Sequence, residues 1–510
     1  MKQKFLGSIV AAALLSTTVI ADDTILQRFD KMEKEMAALK AELNTLKAQK
    51  VDSDQKTAVV AAPTSNKKAT AANEDVAKEI DDIKDQLSSI NKRTNGNHLK
   101  FDVDFRTSLD NLQYTMADGS KQKNDALLSN RLWLGMSYAA TKELSFVGQL
   151  AYNKTFGQRG ATLTPAGMEG FDWISSEAAY DDTLRVRSAY FFYTDDEFMG
   201  TDIPWTVSIG RRPSTEGHLI NIRDDDHASS PLAHTVNVEF DGASAKFGTE
   251  ELIGLDGSYF KLCAGRGMSQ AEPRFSSAPY SDQNNVTNNI DMVGIIVVPY
   301  DDKQYSTGFQ YTYANNLIDI NPISPTGALE TVGGLHTATA FAMVNGIGDG
   351  LSDFLDDTTL FFSGAMSKTD PYNGTGKQGM LGGANPFESK TGYSYWIGTQ
   401  FPSLISDEGR WGAEFNHGSN YWRPITYGED TLIGSKIAAR GDAYEIYFTE
   451  PLVDDILTFQ LRYTYINYDY AGSNGFFGST SGTPYNISST PSSMIVDKAQ
   501  DIRAYIRYRF

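Results

Sequence analysis

Hydrophobic and polar residues alternate along most of this chain with a period of two. In "LKFDVDFRTSL", the apolar residues Leu99, Phe101, Val103 and Phe105 alternate with charged residues. A β-strand places successive side chains on opposite faces, so each such stretch predicts a strand with one apolar and one polar face. The pattern recurs to the last residue and predicts about sixteen strands between residues 98 and 510.

The connections between the predicted strands are long and short in turn. "GQRGATLTPAGMEGFDWISSEAAYDD" is long, whereas "ATKE", "GTE" and "PYDDK" are short. This alternation is typical of an up-and-down transmembrane barrel, which has long loops outside and short periplasmic turns. Strands in a membrane must close into a barrel, because no water satisfies their backbone there. We therefore predict an all-β transmembrane barrel of about sixteen antiparallel strands over residues 97–510, preceded by α-helical coiled-coil segments.

The first part of the chain follows other patterns. Residues 1–21 combine two early lysines, an apolar run and small residues before Asp22, which predicts a cleaved secretory signal peptide. Apolar residues then recur at spacings of four and three, so 22–50 and 74–94 predict two coiled-coil helices joined by a flexible linker over 51–73. A lone amphipathic helix on a surface is the alternative to the first coiled coil.

Composition and motifs narrow the possible functions. The formal net charge of −19 argues against nucleic acid as a partner, because a phosphate backbone requires a basic surface. The single cysteine, Cys263, excludes an intrachain disulfide framework. Neither a Gly-x-Ser-x-Gly motif nor a His-Glu-x-x-His motif nor a phosphate loop occurs in the sequence. We therefore expect no enzyme activity, no catalytic residue, no bound metal and no cofactor.

The chain ends in "DIRAYIRYRF", a strand whose two faces differ. Ile506, Tyr508 and Phe510 lie on the apolar face, and the other face carries three arginines. The apolar face is expected to meet lipid and the arginine face to meet water. Aromatic residues near other strand ends, Trp396 and Trp411 among them, are expected in girdles at the lipid interfaces, with sugar-stacking tracks in the lumen as the alternative.

Residues from about 98 to 510 resemble bacterial outer-membrane porins. More narrowly, "WGAEFNHGSNYWRP", "ARGDAYEIYF" and "RAYIRYRF" are similar to a porin-like family catalogued as a domain of unknown function. The resemblance implies an outer-membrane location, with lipid and lipopolysaccharide around the barrel and the coiled coil in the periplasm. It also implies that Ile506, Tyr508 and Phe510 form the signal that the barrel-assembly machinery recognises. Some porins with a periplasmic coiled coil attach to the cell wall, so peptidoglycan is a candidate partner.

Sixteen strands enclose a lumen wide enough for water, so inward charges are candidate functional residues. Fixed charges on opposite walls would create a field that orients and selects solutes. The alternation within each strand predicts two pore-lining sets. The basic set is Arg131, Arg185, Arg187, Arg212, Arg462, Arg503, Arg507 and Arg509, and the acidic set is Asp102, Asp104, Glu239, Glu414 and Glu445.

The same charges have a structural explanation. The last strand closes against the first, so its arginines can pair with Asp102 and Asp104 across the seam, and Arg462 can pair with Glu445 on a neighbouring strand. The sequence is equally compatible with pairing and with a selectivity role.

The third long connection, "RPSTEGHLINIRDDDHASSPLAHT", contains Asp224, Asp225, Asp226 and His227. In sixteen-stranded general porins the third outer loop folds inward and places acidic residues opposite wall arginines. The resemblance therefore implies a constriction loop at these four residues. A solvated surface loop is one alternative, and a divalent-cation site built from Asp224, Asp226 and His227 is another.

Taken together, these features predict an outer-membrane porin for diffusion of small hydrophilic solutes or ions, with the heptads favouring a homotrimer. Two other functions stay open. One is a structural tether that binds the cell wall through the coiled coil. The other is a sheath around a partner electron-transfer cytochrome, whose haem would belong to the partner because this chain has no Cys-x-x-Cys-His motif.

Overall fold

The computed structural model describes residues 99–156, 184–212, 214–269, 289–320, 329–348, 350–372, 380–382, 387–426, 432–474 and 484–510. The predicted signal peptide (1–21), coiled coil (22–50), linker (51–73) and second helix (74–94) lie outside the described residues. These segments and the domain boundary at residue 97 stay predictions.

Sixteen strands form one closed antiparallel barrel, in which each strand pairs with the next barrel strand along the chain and the last pairs with the first. The barrel strands are β1 Lys100–Met116, β2 Lys121–Ala139, β3 Leu144–Thr155, β4 Arg185–Asp195, β5 Trp205–Arg212, β8 Phe240–Gly248, β9 Tyr259–Met268, β10 Ile290–Asp301, β11 Tyr305–Ile320, β12 Leu329–Asn345, β13 Thr359–Pro371, β14 Thr391–Pro402, β15 Arg410–Gly418, β16 Gly441–Val453, β17 Leu457–Tyr468 and β18 Val496–Arg509. The predicted sixteen-stranded, up-and-down barrel is confirmed.

The remaining elements lie in the connections. β6 (Gly217–His218) and β7 (Ser229–Leu232) form a small parallel sheet. The short helices are α1 Asn221–Asp224, α2 Glu250–Ile253 and α3 Asp353–Asp356, with 3-10 turns at Lys436–Ala438 and Ile487–Ser489. None of the helices in the described part of the chain is long and apolar enough to span a membrane.

The barrel closes where β18 pairs with β1, as the sequence predicts for its last strand. Asp104 lies opposite Arg509, and Phe105 lies opposite Tyr508. Asp104 is 8% exposed and Phe105 is 38% exposed, so the polar face points into the barrel and the apolar face points outward. Phe510 ends the outward row at 79% exposure, and its backbone exchanges two hydrogen bonds with Val103. The terminal aromatic is thus held by the wall while its ring faces outward.

The longest connections join strand ends at one end of the barrel, which we call the long-loop end. They are 156–184, 213–239, 269–289, 372–390, 419–440 and 469–495. The opposite, short-turn end has connections such as 140–143, 302–304 and 454–456. The first connection at the long-loop end, 117–120, is short, so 213–239 is the third and 419–440 the seventh there. We call these two loop 3 and loop 7.

Loop 3 fills part of the barrel interior with apolar side chains. Leu219, Ile220, Leu232, Val236 and Val238 are all buried. They pack in two clusters against wall residues that include Phe341, Phe361, Trp396, Ile290 and Leu317. Burying one such aliphatic side chain contributes about 1.5–3 kcal/mol, so these contacts favour an inward loop.

Loop 7 lies beside loop 3 and is joined to it. The N–H of Ile425 donates to the carbonyl of Thr235 at 2.9 Å, and the N–H of Asn237 donates to the carbonyl of Ile425 at 2.7 Å. Loop 7 also passes close to Gly392 of β14, where an added Cβ would lie 2.2 Å from the backbone of Tyr421. A larger residue at Gly392 would displace the loop from the wall.

Candidate functional site

Loop 3 is hydrogen-bonded to wall side chains on several strands. The side-chain oxygen of Gln310 on β11 accepts from the N–H of Leu232 at 2.8 Å. The two ring nitrogens of His234 lie 2.8 Å from Ser363 Oγ on β13 and 2.9 Å from Ser394 Oγ on β14. Inward polar side chains therefore satisfy the loop as it crosses the lumen.

The acidic tip of loop 3 is bound to the last strand. Asp226 accepts from Arg507 at 3.0 Å and from Arg509 at 2.7 Å, and Asp224 accepts from Tyr505 Oη at 2.7 Å. The arginine contacts are charge-assisted and stronger than neutral hydrogen bonds. Both arginines are among the last residues of β18, so the tip lies deep in the barrel, near the short-turn end.

The backbone of the tip is shaped by α1. Asp225 follows α1 with φ +51°, a left-handed conformation that Asp tolerates better than most residues. Its N–H donates to the carbonyl of Asn221, whose own Nδ2 donates to the carbonyl of Asp226 at 2.9 Å. The side chains of Asp225 and His227 are exposed, so the predicted four-residue set divides into two wall contacts and two exposed groups.

Two glutamates face each other across β15 and β16, where Glu414 and Glu445 are register partners. Like charges in this position repel. Lys436 of loop 7 lies 2.6 Å from Glu414 and contacts Glu445 as well. Arg223 of loop 3 is 3.3 Å from Glu445, and Arg462 of β17 is 3.9 Å from it. Both loops thus supply cations that neutralise buried wall carboxylates.

A second charged cluster surrounds Glu239 at the end of loop 3. Glu239 lies 3.2 Å from Arg187 on β4 and 2.8 Å from Arg211 on β5. Arg187 also lies 3.5 Å from Glu216 of loop 3, and its guanidinium lies 4.0 Å from the centre of the Trp133 ring. Both ends of loop 3 are therefore fixed to this part of the wall.

Loop 7 has its own buried ion pair with the wall. Arg423 lies 2.7 Å from Asp319 at the end of β11, and both side chains are almost fully buried. The N–H of Arg423 donates to Ser367 Oγ at 3.0 Å, and Asp319 also accepts from the N–H of Met380 at 3.1 Å. Additional hydrogen bonds of this kind are needed to compensate the desolvation of a buried ion pair.

Loop 3 contains one buried histidine, His234, and one half-buried histidine, His218. Burial lowers the pKa of His234 to about 3 and that of His218 to about 4. An unperturbed histidine has a pKa of about 6.5, so both rings are neutral at neutral pH. Protonating either ring would charge a group that the fold keeps away from water.

The predicted seam is present, but its pairs differ from those expected. Arg507 contacts Asp104, as expected, whereas Arg503 contacts Asp110, which was not predicted. Asp102 is exposed and has no ion pair among the described residues. The reason is register, because Asp110 lies directly opposite Arg503, whereas Asp102 lies beyond the last backbone pair, Val103 with Phe510.

Most of the predicted pore-lining charges are buried beneath the loops. Arg185 and Arg212 are half-buried, while Arg509 keeps 27% of its side chain exposed beside Asp226. The buried members are Asp104, Arg131, Arg187, Glu239, Glu414, Glu445, Arg462, Arg503 and Arg507. A sixteen-stranded wall alone predicts a wider lumen than this structure has, because loops 3 and 7 occupy part of it.

Sequence reasoning missed the residues that the loops contribute, including Arg223, His234, Arg423 and Lys436. Loops carry no periodicity, so no signal indicated which of their side chains point inward. The structure also corrects the predicted position of Trp396. It was expected in a lipid-facing girdle, but it is fully buried and donates from Nε1 to Glu414 at 2.9 Å, because it shares the inward side of β14 with Ser394.

The described ranges contain no group of three or more His, Cys, Asp or Glu residues that could hold a metal ion. Asp224 and Asp226 bind different wall partners, and His227 is exposed, so the three do not converge. Cys263 is a half-buried thiol on β9.

Comparison with known proteins gives one family. A family model described as a protein of unknown function (DUF3373) matches residues 121–510. No curated protein matches the chain.

Several solved structures are similar in fold. Pseudomonas putida OprB, at high pH, is 10% identical, with 83% of this chain and 97% of that chain covered and a TM-score of 0.45. An anion-selective porin from Comamonas acidovorans is 10% identical, with 81% and 99% covered and a TM-score of 0.45. Salmonella typhi OmpF, in complex with daunomycin, is 11% identical, with 82% and 99% covered and a TM-score of 0.42. The closed barrel itself is established by the strand pairing described above.

Proposed function

Because the chain belongs to the DUF3373 family, whose function is unknown, we propose a function from its own barrel. The protein is an outer-membrane channel through which small hydrophilic solutes or ions diffuse, and the acidic tip of loop 3 narrows it. The observation that carries this proposal is the contact of Asp226 with Arg507 and Arg509 inside the barrel.

The outer surface of the barrel supports a membrane location. Large apolar side chains are exposed at outward positions around the wall, as a lipid-facing surface requires. Examples are Phe105, Ile209, Leu262, Phe362, Ile397, Ile446 and Ile506, each at least 38% exposed. A soluble monomer rarely exposes so extended an apolar surface. The outer membrane is the compartment in which such barrels occur.

The contacts inside the barrel support the proposal of a narrow, charged passage. Loop 3 is fixed at its tip, at both ends and at His234, so it is a stable part of the lumen rather than a solvated surface loop. The tip carries carboxylates that are ion-paired with arginines of β18, so fixed charges of both signs line the passage at the short-turn end. Solutes that pass this level are selected by size and charge.

Planar-bilayer recordings in a KCl gradient test this proposal. The wild-type protein should conduct. Asp226→Asn should raise single-channel conductance and shift the reversal potential towards anion permeability, because the tip loses a carboxylate and both arginines lose a counter-charge. Asp455→Asn, in the exposed turn at 454–456, is the matched control and should behave like wild type.

Two results would contradict the proposal in different ways. A folded wild-type barrel that does not conduct would reject the channel function. A double variant, Asp224→Asn with Asp226→Asn, that keeps wild-type conductance and selectivity would reject the constriction while leaving the channel function in place.

The described interior argues against a sheath around a cytochrome, since loops 3 and 7 already occupy the lumen that such a partner would need. The tether function, the homotrimer and the peptidoglycan contact depend on residues 22–94 and stay predictions. Deleting residues 22–95 tests the tether, because envelope attachment should then weaken while conductance is unchanged.

A further inference from the structure

Three inward cations lie on neighbouring strands without a direct ion pair among the described residues. They are Arg212 on β5, Lys246 on β8 and Lys261 on β9. In the described part of the chain, no carboxylate oxygen lies within 4 Å of the charged nitrogen atoms of these three side chains. The buried cations beneath loops 3 and 7, in contrast, do have such carboxylates. All three are half-buried, so water compensates their charge only in part.

The register makes this arrangement unfavourable as it stands. Lys246 and Lys261 are direct partners across β8 and β9, and both point inward. Side chains in this position are about 4.5–5.5 Å apart at Cβ, and like charges there repel. Lys246 also lies 3.9 Å from the centre of the Tyr259 ring, and Arg212 lies 4.9 Å from that of Tyr190. Aromatic faces stabilise the cations somewhat but do not neutralise them.

A small cavity lies where Arg212 and Lys261 meet loop 3, and Lys246 is the register partner of Lys261 beside it. It has a volume of about 30 Å³, and its lining combines apolar side chains such as Val236, Phe240 and Met292 with a polar set, which includes Arg212, Lys261, Ser214, Ser230 and Ser244. Lys261 donates to the hydroxyl oxygen of Ser230. The hydroxyl hydrogen of Ser230 is thus available to a further acceptor. Guanidinium, ammonium and hydroxyl donors around one space form an anion-binding set.

We propose that this cavity binds a small inorganic anion, held by Arg212 and Lys261 with the loop 3 hydroxyls and stabilised further by Lys246. This volume is sufficient for a halide ion with a water molecule. The anion relieves the repulsion between the two lysines and joins loop 3 to β5 and β9. This inference concerns binding and holds whether or not the barrel conducts.

Bromide is the test ligand, and the whole folded barrel in detergent is the sample. The thermal unfolding midpoint is measured in sodium bromide and in sodium gluconate at equal ionic strength. A ligand that binds only the folded state raises the midpoint. We expect a higher midpoint in bromide for the wild type and for Lys142→Gln, a control in the exposed turn at 140–143.

Lys261→Gln and Lys246→Gln should each lose at least half of the difference between bromide and gluconate. Either variant alone suffices if the other fails to fold. An equal difference in both variants, or none in the wild type, would overturn the proposal.

Crystals grown in bromide give a second, structural readout. An anomalous peak within hydrogen-bonding distance of Lys261 Nζ and the Arg212 guanidinium is expected in the wild type and in Lys142→Gln. The same peak should be missing in Lys261→Gln. Its absence from the wild type, or its persistence in Lys261→Gln, would overturn the site. Failure of conductance in the bilayer experiment would leave both bromide results unaffected, so the two proposals fail separately.

Discussion

The two sides of the barrel treat their inward cations differently. Where β18 meets β1, Arg503 contacts Asp110 and Arg507 contacts Asp104, and all four side chains are buried. On the opposite wall, β8 and β9 place two lysines directly opposite each other, and neither forms an ion pair among the described residues. Inward basic side chains are therefore paired with carboxylates on one side of the barrel and lack such pairs on the other side.

The difference separates charges that hold the structure from charges that remain for a ligand. Removing one partner of a buried ion pair leaves an uncompensated charge and is costly. Removing one of two like charges relieves repulsion. Substitutions on the two sides should therefore differ in sign as well as in size, and this can be tested from the largest effect to the smallest.

The largest effect is expected at Glu445 on the paired side. Glu445→Gln leaves Lys436, Arg223 and Arg462 buried with fewer negative partners, so the free energy of unfolding should fall by about 3–5 kcal/mol. Chemical denaturation followed by tryptophan fluorescence measures the change. Glu251→Gln, on the exposed α2, is the control and should stay within about 0.5 kcal/mol of wild type. Equal effects at the two positions would show that the paired side is not structural.

An effect of intermediate size is expected when His234 is exposed to acidic pH. His234 joins loop 3 to β13 and β14, between the two sides of the barrel. The pKa of His234 is about 3 in the folded protein and about 6.5 when unfolded, so the unfolded chain takes up a proton first as pH falls. The stability that neutral His234 contributes is complete above pH 6.5 and is lost progressively down to about pH 3. Between pH 6.5 and 4.5 the loss is about 2 kcal/mol.

The measurement compares the wild type with His234→Gln across this pH range. Titrating carboxylates affect both proteins alike, so the difference between the two unfolding free energies isolates the histidine. The His234 ring is surrounded by Ser363, Ser394, Trp396 and Trp422, with no carboxylate among these contacts. Parallel pH profiles would show that burial does not control its protonation.

The paired side also shows how far sequence could predict this molecule. Strand number, closure of β18 on β1 and the inward direction of Arg507 follow from a period of two, because alternation decides which side of the wall each residue faces. Register does not follow from alternation. Asp102 and Asp110 share one inward face of β1, yet only Asp110 lies opposite Arg503.

The contacts of the loops are the second feature that could not be predicted from the sequence. Nothing periodic in "NIRDDDHASS" or "LIGSKIAAR" indicates that Arg223 and Lys436 reach the same glutamate, since that contact joins loop 3, loop 7 and β16 across long sequence separations. The acidic residues of loop 3 were predictable as a cluster, but their partners depended on how far the loop descends. The unpaired lysines required both strands in register, because neither Lys246 nor Lys261 is unusual alone.

The smallest effect, and the one that tests the comparison most directly, is expected at Lys246. In halide-free buffer Lys246→Met should raise the free energy of unfolding by about 0.5 kcal/mol, because Lys261 then faces an apolar neighbour instead of a like charge. The same type of substitution at Arg503 should lower it, because Asp110 would be left buried without its cation. Denaturation of the two variants beside the wild type measures both signs. If Lys246→Met destabilises the barrel as Arg503→Met does, Lys246 is bound to a partner within the fold, and the two walls are built on the same principle.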